Sequence, residues 1–166
     1  MSIDTHYFKK ELNNGSNVNI KTESDIRAQR ETFRSTQTQN THLDVITQIY
    51  EIIRTIRDPE HPYTLEQLDV VNEKEITIEE KHGKLYCTIY WKPVNAGQYT
   101  VHVGMAILMK LQSQLKGLDK LKFTITMKGG NPKYKKMIDK QLNDKERLAA
   151  AKENETLITF IESLIS

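Results

Sequence analysis

Cysteine is nearly missing from this 166-residue chain, which has only Cys87. One thiol rules out an intrachain disulfide, and with it any metal or cluster site built only from the chain's own thiolates. An intracellular protein is the expectation. Long apolar runs are missing as well. The N-terminal MSIDTHYFKKELNN has no continuous apolar segment, so no signal peptide is expected. No stretch reaches transmembrane length. An excess of one charge is also lacking, because 24 Lys+Arg against 22 Asp+Glu leave +2. That balance does not by itself imply a nucleic-acid partner. There is no glycine-rich phosphate loop, no nucleophile elbow and no paired metal-ligand spacing, so the common enzyme signatures are absent.

What is there is organised around QYTVHVGMAILMKLQSQLK, residues 98–116. Between Val101 and Leu111 only His102 and Lys110 are polar. A helix apolar nearly all round is a core helix, and this one is too short for a bilayer. The loop Lys92-Pro93-Val94-Asn95-Ala96-Gly97 delivers its backbone to the N-terminus of that helix, a natural place for a site.

Residues 1–40 are polar, and their composition predicts a flexible tail, with Tyr7-Phe8 as a candidate docking peptide. Thr41 is placed to cap a first helix, with Ile46, Ile49, Ile53 and Ile56 at helical spacing. That helix is expected to stop at Arg57-Asp58, ahead of Pro59. Thr64-Leu65-Glu66-Gln67 has capping-box spacing. Ile76 and Ile78 alternate with polar residues, Lys81-His82-Gly83-Lys84 reads as a hairpin turn, and the return strand carries Leu85, Cys87, Ile89 and Trp91 on one face. Aromatic residues on both of its faces make that strand central. Gly117 is a candidate helix C-cap. Leu121 to Met127 alternate as a half-buried strand with a basic outer face. Pro132 opens a further helix, Asn143-Asp144 breaks it and recaps, and Leu157, Phe160, Ile161 and Leu164 form a last amphipathic stretch. The expected fold is α+β: a small mixed three-stranded sheet, an antiparallel hairpin plus one parallel strand reached by a crossover helix, packed with helices. The expected organisation is a tail over 1–40 and one domain over 41–166.

Two blocks carry a resemblance. One is Ile49-Tyr50-Glu51-Ile52-Ile53-Arg54-Thr55-Ile56-Arg57-Asp58-Pro59-Glu60-His61-Pro62 with Thr64-Leu65-Glu66-Gln67-Leu68. The other is Asp139-Lys140-Gln141-Leu142-Asn143-Asp144-Lys145-Glu146-Arg147-Leu148-Ala149-Ala150-Ala151 with Glu153-Asn154. From about residue 45 onward the chain resembles the cytosolic iron–sulfur assembly component 2 (MIP18-like) family, whose core domain is shared with SufT and PaaD proteins. The resemblance implies a non-enzymatic adaptor. Its partners would be a WD-repeat platform protein, a helical-repeat adaptor and iron–sulfur apoproteins. Its cargo would be a transiently handled 4Fe–4S cluster, with no stably bound cofactor. It further implies a cytoplasmic and nuclear location, a link to chromosome segregation, and homodimers. The family's reactive cysteine falls on Gly97 and the histidine before it on Ala96. A second family histidine falls on Pro132, and acidic residues near it are replaced by Lys135 and Lys136. No catalytic or metal-ligating residue is therefore assigned. The alternative is a divergent paralogue, a protein-interaction scaffold without a part in cluster delivery.

The candidate partner-binding residues are Arg57, Asp58 and Glu60 in the proline-bounded turn, and Asp144, Lys145, Glu146 and Arg147 in the charge run. For the first group the competing reading is a turn that uses its carboxylates on backbone donors. For the second it is a solvated helix start. Cys87 reads as core thiol rather than ligand, and His102 as a core or edge histidine. Lys120, Lys122, Lys128, Lys133, Lys135, Lys136 and Lys140 make the later region basic. A nucleic-acid surface there lacks interleaved aromatics apart from Tyr134.

Overall fold

The computed structural model describes residues 22–115 and 121–166. Tyr7-Phe8, Gly117 and Lys120 lie outside the described residues. The chain divides into units of residues 1–40 and 41–166.

Helix α1 spans Glu23–Ile53, which corrects the expected start at Thr41. Its first turn is closed by a reciprocal cap. The Thr22 amide donates to Asp25 Oδ2 at 2.9 Å, and the Asp25 amide donates back to Thr22 Oγ1 at 3.4 Å. Residues 23–40 are exposed throughout, so no apolar stripe marked this part of the helix.

The end of α1 is also corrected. The helix stops at Ile53, four residues before the expected boundary. Past it the Arg54 carbonyl accepts from the Glu66 amide at 3.2 Å and the Ile56 carbonyl from the Leu65 amide at 2.8 Å. Arg57 then pairs with Thr64 in an antiparallel bridge. Ile56 stays fully buried without being helical. The returning segment takes the carbonyls that a longer helix would have used. The Thr64–Gln67 capping box forms as read: Thr64 N–H to Gln67 Oε1 at 2.9 Å and Gln67 N–H to Thr64 Oγ1 at 3.3 Å.

Strands β1 (Val71–Lys81) and β2 (Lys84–Trp91) form an antiparallel hairpin, and β3 (Leu121–Met127) pairs with β2 in parallel. The order β1-β2-β3 makes β2 central, and the fold is the expected α+β with a three-stranded mixed sheet. His82 and Gly83 both take positive φ, 52° and 69°, at the two-residue hairpin turn. Ile76, Cys87, Ile89, Trp91, Ile125 and Met127 fill the core. Thr77, Glu79, Tyr86, Thr88 and Lys122 stay at least partly open on the reverse face, where the Lys122 ammonium lies 5.7 Å from the centre of the Tyr86 ring.

Helix α2 (Thr100–Gln114) is the buried crossover between β2 and β3. It approaches α3 (Pro132–Asn143) so closely that a Cβ on Gly104 would lie 2.3 Å from Leu142 Cδ1. Lys110 is its one buried charge. Its ammonium donates to Thr55 Oγ1 at 2.8 Å, and burial holds its pKa below the usual lysine range. Helices α4 (Lys145–Lys152) and α5 (Glu155–Ile165) complete the unit. Asn131, Asp144 and Asn154 are the N-caps of α3, α4 and α5.

Candidate functional site

The proline-bounded turn and the loop before α2 face each other across a narrow cleft. Asp58, Glu60, Val70, Pro93, Val94, Asn95, Tyr99, Thr100 and Val103 line it, and its volume is about 10 Å³. That is room for about one water. The chemistry here is that of a surface seam.

On one side of the seam the turn is held by its own aspartate. Asp58 Oδ1 accepts from the amides of Glu60 and His61, both at 2.9 Å, and lies 2.8 Å from His61 Nδ1. The Asp58 side chain is only 8% exposed. Its amide donates to the Tyr63 carbonyl, and the Arg57 amide donates to the Leu164 carbonyl at 2.9 Å, which ties the turn to the end of α5. Asp58 is thus committed to backbone donors, while Glu60 stays exposed.

On the other side the loop is held by residues outside it. The Gly97 amide donates to Thr100 Oγ1 at 3.0 Å. The Gly97 carbonyl accepts from the Thr100 amide and from the Tyr134 hydroxyl, both at 3.1 Å. Tyr134 stands two residues after Pro132, so the structure brings together the two stretches in which the resemblance places the family's missing cysteine and histidine. Neither Gly97 nor Pro132 supplies a side-chain donor. A Cβ built on Gly97 meets nothing within 4 Å, so the space for a side chain exists.

The charge run lies elsewhere. Asp144 caps α4, its Oδ1 accepting from the amides of Glu146 at 3.0 Å and Arg147 at 3.3 Å, and its Oδ2 sits 3.6 Å from Arg147 Nε. Lys145 and Glu146 point to solvent. Arg147 borders a cavity of about 270 Å³ walled by Val101, Met105, Leu142, Leu148, Ala151 and Leu157, with His102 and Gln141 also on its lining. His102 is an edge residue. Its Nδ1 donates to the Gln98 carbonyl at 3.1 Å, and its ring packs edge-on against Phe160. The two groups of candidate residues therefore border different hollows along α2. Cys87 belongs to neither. It is fully buried, and burial pushes its thiol up to about 12, so it stays protonated and inert.

Two sets of polar residues in the resembling blocks have structural work that sequence reasoning missed. Arg54 Nε and Nη1 reach Glu51 and Glu66, each at 2.8 Å, and the Tyr50 hydroxyl donates to Glu66 at 3.0 Å. Tyr50 and Arg54 hold the Glu66 carboxyl below the usual range. On α3, Asn143 accepts from the Ile125 amide at 3.0 Å and donates to the Ile125 carbonyl at 2.8 Å, while Asp139 accepts from the Met127 amide at 2.7 Å. Together they occupy the free edge of β3, which would otherwise offer a template for another strand. The spacing of Asp139 and Asn143, four residues apart on one helix after an edge strand, was the available signal.

No protein-family model matches the chain. Among curated proteins it is similar to Protein AE7-like 1 of Arabidopsis thaliana, 36% identical over 118 residues, covering 71% of this chain and 75% of the relative. A MIP18 family protein of Caenorhabditis elegans is 38% identical over 120 residues, covering 71% and 73%. Cytosolic iron-sulfur assembly component 2B of Mus musculus is 32% identical over 119 residues, covering 72% and 71%.

Proposed function

The chain belongs to the MIP18 family, and from that premise we propose that it is a non-enzymatic adaptor in cytosolic iron–sulfur protein assembly. It promotes transfer of 4Fe–4S clusters, as cargo, to apoproteins by holding partners together. The observation that carries this reading is the Gly97 loop. At the position where the resemblance expects a reactive thiol at a helix N-terminus, the chain offers backbone alone, and that backbone is bonded to Thr100 and Tyr134. A thiolate there would be the nucleophile or ligand, whereas this loop presents backbone in its place, which supports a surface role. The proposed location is the cytoplasm, and the proposed partners are the WD-repeat platform protein, the helical-repeat adaptor and iron–sulfur apoproteins.

Native affinity purification of the tagged protein tests this directly. Recovery of the WD-repeat platform and the helical-repeat adaptor is the expected result. A folded, monodisperse bait that brings neither would reject it. The Gly97 loop also favours a second reading, a scaffold that keeps the fold without a part in cluster delivery. Under that reading, depletion of the protein would leave incorporation of radiolabelled iron into apoproteins unchanged. Under the first, incorporation falls.

A further inference from the structure

Helix α3 has one face built into the fold and the opposite face left basic. Its inner face carries Ile138 and Leu142 in the core, and Asp139 and Asn143 fix it to β3. Of the lysines from Lys128 to Lys140, Lys128 is paired with Glu75 and Lys135 with Asp139. Lys133, Lys136 and Lys140 have no ion-pair partner among the described residues and are exposed. They stand at i, i+3 and i+7, so they form one stripe. Met137 belongs to the same stripe and is 48% exposed. A shallow hollow of about 530 Å³, bordered by Pro132, Lys135, Lys136, Asp139 and Lys140, runs beside it.

We propose that this outer face of α3 docks an acidic segment of a partner protein, with carboxylates on Lys133, Lys136 and Lys140 and an apolar side chain on Met137. From Lys133 to Lys140 the helix rises about 10 Å, the span of about three residues of extended chain, so a short peptide satisfies all three ammonium groups. Charge complementarity chooses the sign of the partner, and Met137 chooses a peptide over a phosphate backbone. No aromatic side chain lies on the stripe to stack a base. The inference does not depend on the reading in iron–sulfur assembly.

The test uses the full chain, a fluorescein-labelled peptide of alternating Glu and Leu, its Gln-for-Glu counterpart, and a labelled oligothymidylate of equal charge, followed by anisotropy at low and moderate salt. The Glu peptide is expected to bind, and the Gln peptide is not. The triple variant Lys133→Gln, Lys136→Gln, Lys140→Gln should weaken binding about tenfold, from three exposed pairs of about 0.5 kcal/mol each. Met137→Ala should weaken it several-fold more. A control triple of equal charge away from α3 in sequence, Lys74→Gln, Lys84→Gln, Lys152→Gln, should change affinity less than about twofold, because it leaves the three ammonium groups of the stripe in place. Any of three results overturns the proposal: no binding of the Glu peptide, equal loss in the two triples, or tighter binding of the oligonucleotide with no dependence on Met137.

Discussion

The turn at Arg57–Pro62 and the loop at Pro93–Gly97 face each other across one seam, yet their backbones are satisfied in opposite ways. The turn carries its own acceptor, Asp58, which serves two amides and His61. The loop carries none and borrows from Thr100 in α2 and Tyr134 in α3. The difference teaches where change is tolerated. In the turn, one side chain holds three contacts, and truncating it loses all of them. In the loop, the holding groups lie outside it, so the residue at position 97 is free to vary while the backbone path is kept. The position where the resemblance places a reactive thiol can therefore be glycine without loss of the fold.

The contrast can be broken most severely at Asp58. Asp58→Ala leaves two amides and an imidazole nitrogen without the one well-buried carboxylate of a partly exposed turn, and should cost about 1–3 kcal/mol in urea unfolding. A loss under about 0.5 kcal/mol would show that the turn does not depend on its carboxylate.

Alkaline unfolding adds a probe from the core, at Cys87, which belongs to neither side of the seam. The folded pKa of Cys87 is raised from 9.0 to about 12. The thiol's contribution is thus fully present below pH 9 and lost as pH rises toward 12. Over that window it should lower the unfolding free energy by about 1.4 kcal/mol per pH unit. Cys87→Ala should remove that slope relative to wild type, while equal slopes in the two proteins would deny it.

The loop side is softer. Tyr134→Phe removes one neutral hydrogen bond to the Gly97 carbonyl and should cost about 1 kcal/mol. Hydrogen exchange at the start of α2 should rise with it. Gly97→Cys should be smallest of all, within about 0.5 kcal/mol of wild type, because the added Cβ meets nothing. Its thiol should react readily with an alkylating agent in the native state, whereas Cys87 should not.

Much of this architecture was legible in the sequence. Alternation placed β2, whose aromatic residues on both faces marked it as central. Local rules found the Thr64–Gln67 box and the cap at Asp144, since each needs only neighbours within three residues. The start of α1 was missed because residues 23–40 bury nothing and only Thr22 and Asp25 signal it. Its end was missed because the Leu65 and Glu66 amides that compete for Ile56 and Arg54 carbonyls come from a later segment. The same holds at the site. Gly97 could be named through the resemblance, but its bond to Tyr134 joins residues 37 apart, and the grip of Asp139 and Asn143 on β3 exists only once α3 has packed.

The central claim is that the protein delivers clusters by holding partners, not through a thiolate. Cys87→Ala makes the chain free of cysteine, so the decisive measurement is incorporation of radiolabelled iron into apoproteins in cells depleted of the native protein and supplied with this variant. The account predicts incorporation equal to that restored by wild type, with the same partners recovered. Loss of incorporation by a variant that still folds and still recovers those partners would contradict it.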